Sequence, residues 1–108
     1  MDFAQIIQRV IDMAERANAE GDSFSEDDLA KYLKNLYETD VLKLQTFMYF
    51  GRAEQDDVHE LHEHLKGMTD SQDDAVKTIV AKRLSLPSDL RKALEKSKDL
   101  GIDIEASF

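Results

Sequence analysis

All three histidines of the chain fall in the stretch Val58-His-Glu-Leu-His-Glu-His-Leu65, interleaved with carboxylates. Imidazole and carboxylate together make a common tetrahedral ligand set for zinc, and imidazole also exchanges protons near neutral pH. Read as a helix, the stretch turns Val58, Leu61 and Leu65 inward, sets His62 at the border of that stripe, and carries His59 and Glu63 further round. His64 points elsewhere, so three imidazoles cannot converge from this one element. A metal site here would use His59, His62 and Glu63 and take a further ligand from another segment. The order departs from the His-Glu-x-x-His of zinc peptidases, because Glu63 stands where the second histidine belongs. The competing reading is a solvated helix face, with Glu60 and His64 paired at i, i+4 and His62 packed on its neighbours.

Other chemistry finds less footing. The serines at 23, 25, 71, 85, 88, 97 and 107 mostly sit where caps and turns need them, and none lies in a glycine-rich elbow. Neither a Gly-x-x-x-x-Gly-Lys nor a Gly-x-Gly-x-x-Gly loop is present to hold phosphates. The paired carboxylates Asp27-Asp28, Asp56-Asp57 and Asp73-Asp74 fall at expected helix starts, where the helix dipole accounts for them without catalysis. Arg52 stands out because it follows an apolar segment and its glycine. It is expected to bond the carbonyls at that helix end or to pair with an acid from residues 55–66, with contact to a ligand anion as the alternative. No catalytic residue and no cofactor is expected.

The elements that must position these residues are all helical in pattern. Phe3, Ile6, Ile7, Val10, Ile11, Ala14 and Ala17 repeat at the spacing of one helix face, with Asp2 as the expected cap and Gly21 as the stop. Ser25 and the acids after it predict a second helix from about Glu26, carrying Leu29, Tyr32, Leu33 and Leu36 and breaking around residues 38–40. The segment Val41-Leu-Lys-Leu-Gln-Thr-Phe-Met-Tyr-Phe50 differs, since at about 100° per residue its apolar side chains point nearly all round. Such a helix must be surrounded, and Gly51 is expected to end it in a left-handed turn. A fourth helix is expected over about 55–66, a fifth after Asp70 or Ser71, and a last one opened by Pro87 and stopped by Gly101. The expected fold is therefore all-α, a single bundle of five to six short helices over residues 1–101 around the 41–50 segment, with 102–108 as a tail.

Composition narrows the function classes. With 108 residues, 42% hydrophobic and 34% charged, the chain fits one globular domain rather than a disordered segment. Absence of cysteine removes disulfides, thiolate nucleophiles and cysteine-ligated metal centres, and is compatible with a cytoplasmic location. The amino-terminal stretch lacks the apolar core of a secretory signal, and no uncharged run approaches the ~20 residues of a membrane span. The net charge of -9 is uneven: residues 54–74 hold eight acids against one lysine, whereas 77–98 hold seven basic residues against two acids. The basic helix has no interleaved aromatics, and phosphate would repel the whole chain, so direct nucleic-acid binding is not expected.

Met48-Tyr-Phe-Gly-Arg-Ala-Glu54, followed by Leu84-Ser-Leu-Pro-Ser-Asp-Leu90 and Asp99-Leu-Gly-Ile102, resembles an uncharacterised bacterial family of short helical proteins. Its marks are an apolar helix ending in Gly-Arg plus an acid and a closing helix ending in Leu-Gly, covering about residues 36–102. The resemblance implies a bacterial or phage-borne helical domain and no particular reaction. Composition and pattern together favour a non-enzymatic interaction or regulatory module, expected as a homodimer with no membrane partner. The alternatives are a metal-dependent binder or small enzyme using His59, His62 and Glu63, and an acidic inhibitor that imitates nucleic acid.

Overall fold

The computed structural model describes residues 2–20, 23–52, 57–69 and 71–106. Within them the chain forms six helices: α1 (Phe3–Glu20), α2 (Ser23–Lys34), α3 (Glu38–Arg52), α4 (Val58–Met68), α5 (Gln72–Ala81) and α6 (Leu86–Leu100). No strand occurs among the described residues. The expected all-α bundle is the observed fold, and none of these helices is long and apolar enough to cross a membrane.

α3 is the axis of the bundle, as its all-round apolar pattern requires. Val41, Leu44, Phe47, Met48 and Phe50 are fully or almost fully enclosed, and so are Gln45 and Thr46. α4, α5 and α6 pack directly on it, while Phe3 of α1 meets Phe47 edge-on with ring centroids 5.8 Å apart. The cover comes from the same chain, so burying this rod requires no second copy. α1 lies against α2 and α6, and its stripe from Phe3 to Ala17 is buried as its periodicity demands.

Helix ends follow the sequence where a local cap decides them. Asp2 Oδ1 accepts from Gln5 N (2.9 Å) and Gln5 Oε1 accepts from Asp2 N (3.1 Å), a reciprocal capping box. Asp57 accepts from Glu60 N, and Ser71 accepts from Asp74 N. Gly101 takes the left-handed conformation with φ 69°, and the amide of Ile102 returns to the Ser97 carbonyl at 2.8 Å, closing a Schellman motif. Gly21, Gln55 and Asp70, to which boundary roles were also assigned, lie outside the described residues.

Several boundaries differ from expectation because partners remote in sequence decide them. α2 begins at Ser23, ahead of the Glu26 start. The break falls at residues 35–37, and Glu38 already opens α3. Gln72 explains this shift: its Nε2 donates to the carbonyls of Leu33, Lys34 and Leu36, capping the end of α2 from the start of α5. α4 runs past Gly67 to Met68 and is capped by Thr69, whose amide bonds the Leu65 carbonyl.

Gly51 is the main correction within the core. It is not a left-handed stop but a helical residue inside α3, and Gly101 alone among the described glycines has positive φ. A Cβ built on Gly51 would lie 1.9 Å from the carbonyl oxygen of Asp89 and 3.1 Å from the amide nitrogen of Ala93. Glycine therefore lets the backbones of α3 and α6 touch.

The segment after Gly101 is not a free tail. Ile102 and Ile104 pack half-buried on the core. Lys43 Nζ donates to the carbonyls of Ile104 (2.8 Å) and Ala106 (3.0 Å), and the Glu105 carboxylate accepts from the amides of Phe3 (2.6 Å) and Ala4 (3.2 Å). The last turn of chain thus supplies an anion to the positive end of α1.

Candidate functional site

The histidine segment forms α4, with Val58 and Leu65 buried, Leu61 and His62 half-buried, and His59, Glu63 and His64 exposed. Asp57 caps this helix, and Val58 and Leu65 anchor it on the core, so His62 is carried to the α3–α4 seam. There the Thr46 hydroxyl donates to the Leu42 carbonyl at 2.9 Å, leaving its oxygen to accept from His62 Nδ1 at 3.1 Å. That arrangement places the neutral-ring proton on Nδ1. Burial holds the His62 pKa below the ordinary imidazole value; Glu63 pulls it up, while Lys66, Lys43 and His59 push it further down. His62 is a seam residue with a suppressed charge.

Among the described residues the three expected metal ligands are not joined by a fourth. His59 and Glu63 face outward, His62 turns toward Thr46, and among the described residues no group of three or more His, Cys, Asp or Glu side chains could hold a metal ion. Spacing of i, i+3 and i+4 does make the three positions neighbours on α4. The patch nevertheless straddles the edge of the seam, so packing turns its middle member inward and leaves the other two in solvent.

Arg52 does pair with an acid, and among the described residues that acid is Asp89 on α6 rather than one from residues 57–66. Its Nε lies 3.8 Å from Asp89 Oδ2 on α6, with the arginine 39% exposed and the aspartate side chain 8%. That separation makes an ion pair and not a hydrogen bond, so Asp89 Oδ2 is left sealed without a hydrogen-bond partner. The free carbonyls at the end of α3 are served instead by Lys96, whose Nζ donates to Phe50 O at 2.8 Å. Arg52, Gly51 and Asp89 therefore form one structural joint between α3 and α6.

The features with the most open chemistry were not singled out in the sequence. Between α2 and α5 runs a groove of about 340 Å³, floored by Ala30, Val76, Val80 and Ala81 and edged by Glu26, Lys34, Asp73 and Lys77. The two helices are antiparallel: Gln72 at the start of α5 bonds the end of α2, and Arg83 just past α5 pairs with Glu26 near the start of α2 at 3.3 Å. Two large apolar side chains stand in solvent beside its ends, Tyr37 at 81% exposed, three residues after Lys34, and Leu84 at 77%, three residues after Ala81. Tyr37 and Leu84 stand in the turns at 35–37 and 82–85, which carry them out into solvent.

Compared with family models, with curated proteins and with solved structures, the chain matches none. Its function must be argued from its own surface.

Proposed function

We propose that this chain is a non-enzymatic protein-interaction module that associates with a second copy of itself through the α2–α5 face. The observation that carries the reading is the self-complementary pattern of that face. Glu26 and Lys34 are eight residues apart on one helix, about 12 Å along its axis, with Leu84 near the Glu26 end and Tyr37 near the Lys34 end. A two-fold axis through the middle of the groove reverses these ends, so Glu26 of one copy opposes Lys34 of the other. Isologous contacts require a patch that fits its own inverted image, and along α2 the opposite charges of Glu26, which has Arg83 beside it, and Lys34 at the two ends of the groove provide that match. The apolar floor supplies the desolvated centre and the charges the rim, as in protein interfaces generally.

A charge-swap series tests the reading by analytical ultracentrifugation. Glu26→Lys alone and Lys34→Glu alone should each weaken dimerisation about tenfold, by placing like charges across the axis. Combining the two substitutions should restore it, because opposite charges would again face each other at both ends of the groove. Monomer alone for the native chain at about 100 μM, or equal behaviour of all four proteins, rejects this interface.

A further inference from the structure

A second concavity lies on the other side of α5, where α3, α4 and α5 meet. It encloses about 220 Å³, the scale of a fragment of roughly ten heavy atoms and smaller than pockets for drug-sized ligands. Its base is the carboxamide of Gln45, a residue only 5% exposed. Gln45 Oε1 accepts from the Thr69 hydroxyl at 3.2 Å. Gln45 Nε2 makes no hydrogen bond to a described residue and is not among the sealed polar atoms, so the amide of this lining residue keeps unspent donors. A buried amide with unspent donors in an accessible cleft is an uncommon arrangement, because folding leaves few such groups without use.

The remaining walls complement it. Tyr49 contributes a half-buried ring, with Lys82 Nζ over it at 5.8 Å from its centroid, and Leu65 and Met68 contribute apolar surface. At the rim stands Asp74. The Asp74 amide is used by Ser71 and its carbonyl by Thr78, while its carboxylate has no hydrogen bond or ion pair with a described residue. The lining of the cleft thus combines an amide donor, an anionic two-oxygen acceptor and a flat aromatic ring.

We infer that this cleft is a binding site for the 2-amino-4-oxopyrimidine edge shared by guanine and pterins. On that edge a ring carbonyl accepts, and a ring N–H and an exocyclic amino group donate side by side. The carbonyl takes Gln45 Nε2–H, the two adjacent donors take the two oxygens of Asp74, and the ring lies against Tyr49. Adenine presents the reverse order. Its ring nitrogen lone pair would face the Asp74 carboxylate and its amino group would face the Gln45 amide, leaving both protein groups unpaired. The ligand is uncharged at this edge, which suits a protein carrying a net charge of -9.

Titration of the 15N-labelled full-length chain with guanosine, a soluble pterin and adenosine tests the site. Guanosine, the pterin or both should shift the Gln45 side-chain amide and the Tyr49 backbone resonance, and adenosine should leave them in place. Guanosine acting alone identifies a purine source, and the pterin acting alone a pterin source. Asp74→Asn should weaken binding at least tenfold by replacing one acceptor oxygen with a donor, while the remainder of the spectrum verifies that the fold is intact. No shift at Gln45 with either compound at about millimolar concentration overturns the assignment. So does an equal response to adenosine, or undiminished binding to the Asp74→Asn variant.

Discussion

At the scale of single residues, Gly51 and Gly67 make opposite statements from similar helical positions. Gly51 lies where an added methyl group would overlap the Asp89 carbonyl, so Gly51→Ala must push α3 and α6 apart. Overpacking of this kind costs about 1–3 kcal/mol, and the Arg52–Asp89 pair would be stretched with it. Gly67 has nothing within 4 Å of its Cβ direction and sits in the last turns of α4, so Gly67→Ala should stabilise the chain by about 0.5–1 kcal/mol. Urea denaturation of the two variants measures both signs; stabilisation by Gly51→Ala would refute the close-approach argument. His62 adds a pH dependence. Because its folded pKa is lowered mainly by burial, the unfolded chain binds the proton more tightly. Its contribution is therefore fully present above the ordinary imidazole value of 6.5 and is lost as pH falls through the lower folded value. Thermal melts should show a smaller fall in Tm between about pH 7.5 and about pH 5.5 for His62→Gln than for the native chain.

At the scale of elements, helix boundaries separate into those decided locally and those decided at a distance. Asp2, Ser71, Pro87 and Gly101 act within a turn of their own helix, and their roles were legible from residue type and spacing; Asp57 also acts locally, but as the cap of a helix that starts at Val58 and not at about 55. Gln72 and Glu105 act on helices more than thirty residues away in sequence, and no local pattern marks them. Glu105 in particular looks like one acid in a weakly alternating tail until the fold brings it to the start of α1. Its two charge-assisted bonds, at a helix end that already has the Asp2–Gln5 box, predict that Glu105→Ala lowers stability by about 1 kcal/mol. Chemical denaturation at moderate salt checks this. An unchanged midpoint would mean that the Asp2 cap suffices alone.

At the scale of the whole molecule, the central position of α3 governs both stability and surface. A helix buried all round cannot open without loosening α4, α5 and α6, so its amides should exchange only through global unfolding. Native-state hydrogen exchange should find the slowest amides in residues 44–50, with protection free energies equal to the global value from denaturation. Faster exchange there than in α1 would mean that the bundle opens around its axis. With the rod enclosed by its own chain, the proposed self-association would use an outer face, the α2–α5 groove edged by both signs of charge.

The sequence by itself determined the helical class, the existence of six amphipathic or apolar segments, and the burial of the 41–50 rod. These follow from periodicities along one strand of chain. It also placed His62 at a buried border and the other two imidazoles outside it, because helical angle depends only on residue spacing. Tertiary structure alone decided that Gly51 is a contact and not a stop, that Arg52 meets Asp89, and that Glu105 caps α1. It alone also decided that Gln45 and Asp74 line one cleft. Each of those facts joins residues from different helices, and the identity of a partner across the bundle is set by packing geometry that spacing along the chain does not contain.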